Sequence, residues 1–322
     1  MNDRILVTGG LGFIGSHFIW HNNSCIEQMV VIDNKSSGIP AILPSRIQVY
    51  EGDIGNSKLV SSIIKKHNLN GMVHFAGKIQ VGESILNPRK YFDNNVSQSI
   101  SLINTAIESG INKIVFSSSA AVYGNQNPTP IEETGVLDPI NPYGMSKLSI
   151  EYLLNSYGAA YGLRWAALRY FNAAGANPNA NLKENHDSES HLIPLVIDAA
   201  LEKIPPITIF GDDYPTYDGS CIRDYIHVSD LAEAHYQTLL TLDNQNIGPI
   251  NIGTGIGFSV FEIIEHAERI IRKKVPHSIS GRRIGDPVNL IASNVKTENI
   301  IQWTPKFSGL PNIIESAFLS RK

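Results

Sequence analysis

The stretch Arg4-Ile5-Leu6-Val7-Thr8-Gly9-Gly10-Leu11-Gly12-Phe13-Ile14-Gly15 decides the fold expected of this chain of 322 residues. Apolar residues run up to Thr8, glycines then recur at every third position, and apolar residues continue at helical spacing. A strand, a glycine turn and a helix in this order typically bind the pyrophosphate of a dinucleotide. Gly9 allows the tight turn, Gly12 lets the backbone approach the pyrophosphate, and Gly15 lets the helix lie close to the strand.

Further apolar runs follow, separated by segments that have helical spacing. They predict strands at residues 28–32, 47–51, 71–75, 113–116 and 164–168. Because strands that alternate with helices require a parallel sheet, we expect an α/β fold with a doubly wound parallel sheet of the Rossmann type. Residues 1–172 are predicted to form the nucleotide-binding domain, with segments near 222–253 returning to its sheet. Residues 173–322 are predicted to form a smaller, mixed α/β lobe that binds the substrate.

Polar and small residues follow several of these strands. Asp33-Asn34 comes about twenty residues after the glycines, where a carboxylate accepts hydrogen bonds from an adenosine ribose and repels a 2′-phosphate, so NAD is favoured over NADP. Asp53 either reaches the adenine amino group or lies in a solvated turn. His74, inside the fourth strand, is interpreted as a core histidine. Ala76-Gly77-Lys78 after this strand let the chain pass close to a flat cofactor, or simply make a turn.

The segment Tyr143-Gly144-Met145-Ser146-Lys147 carries the candidate catalytic chemistry. If Pro142 opens a helix, Tyr143 and Lys147 stand one turn apart on the same face. An ammonium group beside the phenol would lower the tyrosine pKa from about 10 and make Tyr143 a general base. The alternative is a surface tyrosine and a solvated lysine that share a helix face. Ser117-Ser118-Ser119 is either a polar strand end or the place where a hydroxyl faces the ligand crevice.

Composition argues against several classes of function. The formal charge of −4 provides no global field for nucleic acid or an acidic membrane surface. The two cysteines, Cys25 and Cys221, match no disulfide or metal spacing, and no apolar run is long enough to span a bilayer. We therefore expect a cytoplasmic protein. Residues 186–191 contain histidines and acids without a regular ligand spacing, so no metal is expected.

Several motifs together resemble the extended short-chain dehydrogenase/reductase family. They are residues 8–15, 74–77, 117–124 and 169–172, and Tyr143-x-x-x-Lys147. Within this family, segments 81–84, 209–214 and 223–228 are similar to those of the UDP-glucose 4-epimerases. The resemblance covers nearly the whole chain. It implies an isomerase that interconverts UDP-glucose and UDP-galactose through a 4-keto intermediate and keeps its NAD bound.

The resemblance also implies roles for individual residues. Tyr143 would be the base, Ser119 would share the proton at the sugar oxygen, and Lys147 would favour the phenolate. The implied cofactor-binding residues are Gly9, Gly12, Phe13, Ile14, Gly15, Asp33, Asn34, Lys35, Ser36, Ser37, Gly38, Asp53, Ile54, Phe75, Ala76, Gly77, Lys78, Asn94, Ser119, Tyr143, Lys147 and Phe171. The implied substrate-binding residues are Ser119, Tyr143, Asn172, His191, Leu192, Thr208, Ile209, Phe210, Arg223, Arg283, Asp286 and Leu290. Among these, guanidinium groups suit a pyrophosphate and a carboxylate suits the uridine ribose.

Three positions depart from the family pattern. Many relatives have a lysine one position after Lys78, where this chain has Ile79. His191 replaces a frequent asparagine. Leu290 lies where tyrosine tends to exclude N-acetyl sugars and a small residue tends to admit them. Acceptance of UDP-N-acetylglucosamine and UDP-N-acetylgalactosamine therefore stays open.

Two other functions remain open alternatives. One is a 4-epimerase of UDP-glucuronate or of a UDP-pentose. The other is a non-catalytic regulator that senses the redox state of NAD, although such proteins often lose the tyrosine or lysine that this chain retains. The family further implies a homodimer, paired through helices near 88–109 and 142–161. No nucleic-acid or membrane partner is expected.

Overall fold

The computed structural model describes residues 3–36, 38–184, 189–283 and 285–322. The strands are β1 (Ile5–Thr8), β2 (Met29–Asp33), β3 (Gln48–Glu51), β4 (Gly71–His74), β5 (Lys113–Ser117), β6 (Arg164–Tyr170), β7 (Asn172–Ala174), β8 (Ile207–Phe210), β9 (Ile222–His227), β10 (Gly248–Ile252), β11 (Gly257–Ser259), β12 (His277–Ser280) and β13 (Asn289–Leu290). The α-helices are α1 (Phe13–His21), α2 (Ser57–His67), α3 (Val81–Leu86), α4 (Pro88–Tyr91), α5 (Gln98–Glu108), α6 (Pro142–Tyr161), α7 (Leu192–Ala200), α8 (Val228–Thr241), α9 (Val260–Ile271), α10 (Val295–Ile301) and α11 (Leu310–Leu319). Short 3-10 helices lie at Asn23–Gln28, Ala120–Val122 and Pro178–Ala180, and a π-helical turn at Phe92–Ser97 joins α4 to α5.

Seven parallel strands form the main sheet, in the order β10-β6-β5-β4-β1-β2-β3. The predicted strands of the first 170 residues all lie in it, and the Rossmann-type fold is confirmed. The strand order reverses between β1 and β4. A ligand crevice is therefore expected at the carboxyl ends of these two strands.

Apolar side chains cover both faces of the main sheet. On one face α1 and α8 pack through Phe18 and Leu231. On the other face α2, α5 and α6 pack through Val60, Leu102 and Leu154. Strands covered on both sides are apolar at nearly every position, which is why they appear in the sequence as continuous runs and not as alternating patterns.

The C-terminal part of the chain contains two small sheets. Strands β7, β9, β11 and β13 form one, and β8 and β12 form the other. Residues 248–252 return to the main sheet as predicted, but the prediction for residues 222–227 is wrong. The Asp224 carboxylate accepts hydrogen bonds from the backbone N–H groups of Thr254, at 2.9 Å, and Ala292, at 3.2 Å, which bind β9 to lobe segments. The division of the chain at residue 172 stays a prediction.

Helix α6 begins and ends where its sequence predicts. The Asn141 side chain accepts a hydrogen bond from the Gly144 N–H over 2.8 Å, and Pro142 occupies the first turn. Gly162 ends the helix with φ of 69°, a conformation that glycine adopts without strain. None of the helices in the described ranges is both long and apolar enough to cross a membrane.

Candidate active site

A cleft of about 650 Å³ lies at the carboxyl ends of the central strands. Most of the predicted cofactor-binding residues line it. These are Gly9, Gly12, Asp33, Asn34, Lys35, Ser36, Ile54, Phe75, Ala76, Gly77, Lys78 and Asn94. The lining also includes Leu11, Ile32, Pro40, Gly52 and Gln98, which the sequence analysis missed. Gln98 follows Asn94 by four residues, so helical spacing was the signal that could have identified it.

The glycine turn at the floor of the cleft excludes larger residues. Gly9 has φ of 69°, and a Cβ atom there would lie 2.6 Å from the Ala76 backbone nitrogen. A Cβ atom on Gly15 would lie 2.4 Å from the Gly9 carbonyl oxygen. Phe13 and Ile14 form the first turn of α1, and no side chain of the described residues caps this helix. Its first N–H groups and the positive end of its dipole therefore suit an anion.

Asp33 joins the glycine turn to the loop after β2. Its carboxylate accepts hydrogen bonds from the Leu11 N–H, at 3.0 Å, and from the Lys35 N–H, at 2.8 Å. The Asn34 side chain donates to the Asp53 carboxylate over 2.6 Å. Asp53 is thus fixed to the cleft wall by Asn34, although its side chain is exposed.

His74 is a buried structural residue, as predicted. The Ala76 N–H donates to the Thr8 hydroxyl oxygen over 3.3 Å, and the Thr8 hydroxyl forms a hydrogen bond with Nδ1 of His74 over 2.7 Å. Nε2 of His74 forms a hydrogen bond with the Ser99 hydroxyl over 3.0 Å. Burial lowers the pKa of His74 to about 3, so the ring is neutral. It connects β1, β4 and α5 beneath the cleft.

The three predicted catalytic side chains come together beside the cleft. Tyr143 and Lys147 expose 7% and 3% of their surface, which rules out the surface interpretation. The Ser119 side chain lies beside the Tyr143 hydroxyl, close enough to lower the pKa of the phenol. The Lys147 ammonium donates to the Ser117 carbonyl oxygen over 2.8 Å. A Cβ atom on Gly77, in the cleft lining, would lie 3.6 Å from Nζ of Lys147.

The predicted direction of the Tyr143 pKa is wrong for the protein alone. Burial raises the pKa of Tyr143, and the hydrogen bond with Ser119 offsets part of this effect. Burial also lowers the pKa of Lys147 to about 8. Removing both groups from water disfavours their charged forms, and this desolvation outweighs the attraction expected from helical spacing.

The π-helical turn contributes a buried residue that the sequence analysis did not assign to the site. Oδ1 of Asn95 accepts a hydrogen bond from the Lys78 N–H over 2.8 Å. Nδ2 of Asn95 donates to the Lys78 carbonyl, at 2.9 Å, and to the Ser146 hydroxyl, at 3.1 Å. Asn95 therefore connects the loop after β4 to α6. Asparagine is unfavourable inside helices, so the pair Asn94-Asn95 was the available signal.

A second group of predicted residues lies around β9. The Arg223 guanidinium is 3.6 Å from the Asp286 carboxylate. Leu290 pairs with Arg223 in the register of β13 and β9. Leu290 also packs against the apolar cluster that contains the buried Phe171 and Leu148 of α6. Asn172 begins β7, which also pairs with β9, and lies opposite Tyr225.

The Phe210 ring faces a second arginine. The guanidinium carbon of Arg283 lies 3.8 Å from the Phe210 ring centroid. Thr208 and Ile209 precede Phe210 on β8, where Thr208 is exposed and Ile209 is buried in the core of the lobe. Tyr214, not predicted, is nearly buried, and its hydroxyl has no hydrogen-bond partner among the described residues.

His191 is held by two carboxylates just before α7. Its Nδ1 atom lies 2.6 Å from Glu184 and 3.4 Å from Glu189. Burial disfavours the charged ring, but these carboxylates raise the pKa of His191 above its usual value. The three side chains are close enough to surround a metal ion. A protonated ring has no lone pair to offer a metal, so the cluster is consistent with an ion pair.

The remaining predicted residues lie in neighbouring segments or outside the described part. Leu192 begins α7 and packs against the core of the lobe. Gly38 lies in the loop after β2. Ser37, predicted to bind the cofactor, lies outside the described residues. The same is true of residues 185–188, within the segment weighed for metal binding.

Comparisons with known proteins agree in fold and family. The sequence model of the NAD dependent epimerase/dehydratase family matches residues 5–253. A UDP-glucose 4-epimerase of Halalkalibacterium halodurans is 46% identical over 316 residues, which cover 98% of this chain and 94% of the relative. The crystal structure of the UDP-glucose 4-epimerase from Brucella ovis in complex with NAD superposes with a TM-score of 0.94, at 40% identity, covering 98% of this chain and 97% of that chain. The Bifidobacterium longum enzyme in complex with NAD+ and UDP has a TM-score of 0.91, at 32% identity, with coverage of 98% and 97%.

Proposed function

This chain belongs to the NAD dependent epimerase/dehydratase family, and we propose that it interconverts UDP-glucose and UDP-galactose by inverting C4 of the hexose. The observation that carries the proposal is the meeting of Tyr143 and Ser119 beside the glycine-lined cleft. A tyrosine and a serine that lie side by side can remove and return the proton of one sugar hydroxyl.

The cleft fits a dinucleotide. The pyrophosphate would lie at the N-terminus of α1, which no side chain of the described residues caps. The backbone is accessible there because the turn is made of glycines, namely Gly9, Gly12 and Gly15. Asp33 and Asn34 on the cleft wall would face the adenosine. When bound, NAD supplies a hydride acceptor and, once reduced, a hydride donor for C4. The other residues that would hold NAD are the cofactor-binding set given with the sequence.

Tyr143 handles the proton of the 4-hydroxyl in this proposal. In the protein alone its phenol is neutral, because burial raises its pKa. A cationic ring bound next to it would lower that pKa, together with the Lys147 ammonium. Tyr143 then accepts the proton, and Ser119 keeps a hydrogen bond to the same oxygen while C4 is a ketone. Returning the proton completes a redox-neutral cycle, so NAD has no need to leave.

The nucleotide end of the substrate would be anchored around β9 and β8. The Arg223 guanidinium, partly neutralised by Asp286 at 3.6 Å, has N–H donors for phosphate oxygens. The Arg283 side chain lies against Phe210, where a flat base can stack on the ring. With this end held, the keto sugar can turn about its pyrophosphate and present its other face.

We also propose a homodimer formed through the helices near 88–109 and 142–161, the second of which is α6. Exposed apolar side chains lie on or next to these helices: Leu86, Phe92, Met145 and Tyr152 expose 87%, 37%, 42% and 57% of their surface. Residues 145 and 152 are seven apart and so share one helix face. The solution mass measured by light scattering tests this, since a mass near 35.3 kDa would mean a monomer. A cytoplasmic setting is proposed because both cysteines are free.

A substrate panel followed by proton NMR tests the proposed function. The purified protein is incubated, without and with added NAD, with UDP-galactose, UDP-N-acetylgalactosamine, UDP-glucuronate and UDP-xylose. We expect conversion of UDP-galactose to an equilibrium mixture with UDP-glucose. A preference for the uronate or the pentose would overturn the substrate assignment. No conversion of any sugar by the NAD-loaded protein would support the regulator instead.

A further inference from the structure

Three consecutive serines at the end of β5, here called the serine segment (Ser117–Ser119), meet three residues spaced one turn apart on α6. Ser119 lies beside the Tyr143 hydroxyl and lowers its pKa, and the Ser117 carbonyl accepts a hydrogen bond from Lys147 over 2.8 Å. The middle serine, Ser118, contacts a charged group. Its hydroxyl donates a hydrogen bond to the carboxylate of Glu151, which follows Lys147 by four residues and so lies on the same helix face.

Glu151 is a buried carboxylate that the proposed reaction does not use. It exposes 3% of its surface and forms an ion pair with Arg169, which exposes 1%. The Arg169 Nη2 atom lies 2.6 Å from one carboxylate oxygen, and Nε lies 3.1 Å from both. Such a two-point contact fixes the orientation of both groups as well as their distance.

The ion pair is itself anchored in the protein interior. Arg169 donates through Nη1 to the Tyr123 hydroxyl over 3.0 Å, and Tyr123 donates to the Asn251 side chain over 2.6 Å. Arg169 lies on β6 and Asn251 on β10, the two strands beyond β5 at this end of the sheet. The network therefore connects α6 to the rigid sheet, and Ser118 is its contact with the serine segment.

Stability alone is a weak explanation for this arrangement. Buried ion pairs often contribute no more than apolar residues of the same size, because desolvation offsets their attraction. Positioning is a stronger explanation, because Ser118 lies between the two residues that contact the catalytic pair, Tyr143 and Lys147. Ser118 cannot move without moving both neighbours.

We propose that the Glu151–Arg169 pair is a positioning device that holds the serine segment against the catalytic pair on α6. The proposal rests on the function proposed above. A hydrogen bond from Ser119 favours the Tyr143 phenolate, so loosening the segment should make this phenolate harder to form. A displacement of about 1 Å at such a site can cost roughly 100-fold in rate.

Ser118→Ala tests the link without leaving a buried charge unpaired. We expect kcat at neutral pH to fall by about 10- to 100-fold, with KM and NAD affinity within about threefold of the wild type. The ascending limb of the kcat–pH profile should move to higher pH by about one unit. Thr238→Ala is the control, because it also removes a buried hydroxyl, one that donates to the Ala234 carbonyl on α8 over 2.7 Å. It should leave the profile unchanged.

The double variant Glu151→Leu with Arg169→Met separates positioning from stability. Replacing both charges by apolar residues preserves volume, so the protein should remain folded and bind NAD. A positioning role predicts that the double variant has a lower kcat and a higher apparent pKa of Tyr143 than the wild type. This pKa is measured from tyrosinate absorbance, with Tyr143→Phe as the reference that lacks the Tyr143 signal. A folded double variant with the wild-type rate and pH profile would overturn the proposal. The wild type could also prove inactive. If the pKa of Tyr143 is then still higher in Ser118→Ala than in the wild type, the proposed function fails while the positioning contact stands. If the wild type is inactive and this pKa is the same in both proteins, both proposals fail.

Discussion

The ammonium nitrogen of Lys147 donates a hydrogen bond to the carbonyl oxygen of Ser117 over 2.8 Å. The same nitrogen lies 5.0 Å from the ring centroid of Phe116 and 5.8 Å from that of Tyr143. Lys147 therefore has two effects. It fixes the end of β5 by a direct hydrogen bond, and its charge lies near the buried Tyr143, where charges interact more strongly than in water.

Replacing Lys147 by methionine should remove both effects. We expect kcat to fall by at least about 100-fold at pH 7.5, because the phenolate of Tyr143 loses its nearest fixed cation. Lys90→Met is the matched control, since this lysine pairs with Glu83 at a partly exposed surface site. Initial rates of UDP-galactose conversion measure the effect. A rate within about threefold of the wild type would contradict the role given to Lys147.

Lys78 should slow the release of NAD. Its ammonium reaches across the cleft to the carbonyl oxygen of Ser36, at 2.9 Å, and to the Ser36 hydroxyl, at 3.2 Å. Both residues line the cleft. Loss of a hydrogen bond from a charged group costs about 1.5 kcal/mol, so Lys78→Ala should release NAD roughly tenfold faster.

Release of NADH fluorescence after dilution measures this rate independently of turnover. Lys66→Ala is the control, because Lys66 on α2 donates to the Tyr50 hydroxyl at an exposed position. Equal release rates for the Lys78 variant and the wild type would show that the contact across the cleft does not retain the cofactor.

Buried histidines should make the protein less stable in acid. Burial lowers the pKa of His74 to about 3, and those of His227 and His235 to about 4. In the unfolded chain their pKa is about 6.5, so the unfolded state binds more protons below that pH and the free energy of unfolding falls. Between pH 6.5 and pH 5 each ring lowers the free energy of unfolding by at most roughly 2 kcal/mol. Below about pH 6.5 His191 is protonated in the unfolded chain as well as in the folded protein, so its contribution to stability is constant there; above that pH its raised folded pKa makes this contribution fall as the pH rises.

Urea unfolding at pH 7.5, 6 and 5 measures how steeply the free energy of unfolding changes with pH. His235→Phe should flatten it, because the ring lies among aromatic side chains, 4.7 Å from the Phe75 centroid, and a phenyl ring does not titrate. His266→Phe, on the partly exposed side of α9, is the comparison variant. A stability that is constant from pH 7.5 to 5 would be inconsistent with neutral buried rings.

Leu290 should influence the choice between hexoses and N-acetylhexosamines. It is half-buried and packs against the apolar cluster that contains Phe171 and Leu148 of α6. Leu290→Ala removes side-chain atoms and so enlarges the space expected for the hexose. The ratio of kcat/KM for UDP-N-acetylgalactosamine to that for UDP-galactose should therefore rise by about tenfold. Leu137→Ala removes the same atoms from another member of the cluster and should leave the ratio unchanged. If both variants shift the ratio equally, Leu290 is not the wall of the hexose pocket.

The sequence was sufficient for the main sheet because its signals are local. The glycines around Gly9, the apolar runs and the caps of α6 each act within a few residues, and each corresponds to the element predicted. The segment 222–227 was misplaced for the opposite reason. Its composition suits any buried strand, and the contacts that assign it to the lobe come from Asp224 and distant backbone groups.

The parts of the site that follow from sequence motifs could be predicted, whereas the properties that depend on burial could not. Tyr143 and Lys147 were identified by helical spacing together with the family motif, and Ser119 by its place after β5 and the same resemblance. The direction of the Tyr143 pKa depends on desolvation, which none of these signals reveals. Asn95 and Glu151 were missed because their partners are far away along the chain. The available signal for Asn95 was a polar residue inside a helix. The signal for Glu151 was an acidic residue four positions after Lys147, on the same helix face as the catalytic pair.

The most direct test of the account compares the wild type with Tyr143→Phe. Each protein is purified, its bound NAD is measured after denaturation, and its conversion of UDP-galactose is followed by proton NMR. The account predicts full conversion by the wild type and a rate at least about 1,000-fold lower for the variant, with the same NAD content. A variant that retains NAD and converts UDP-galactose at a near-normal rate would contradict it.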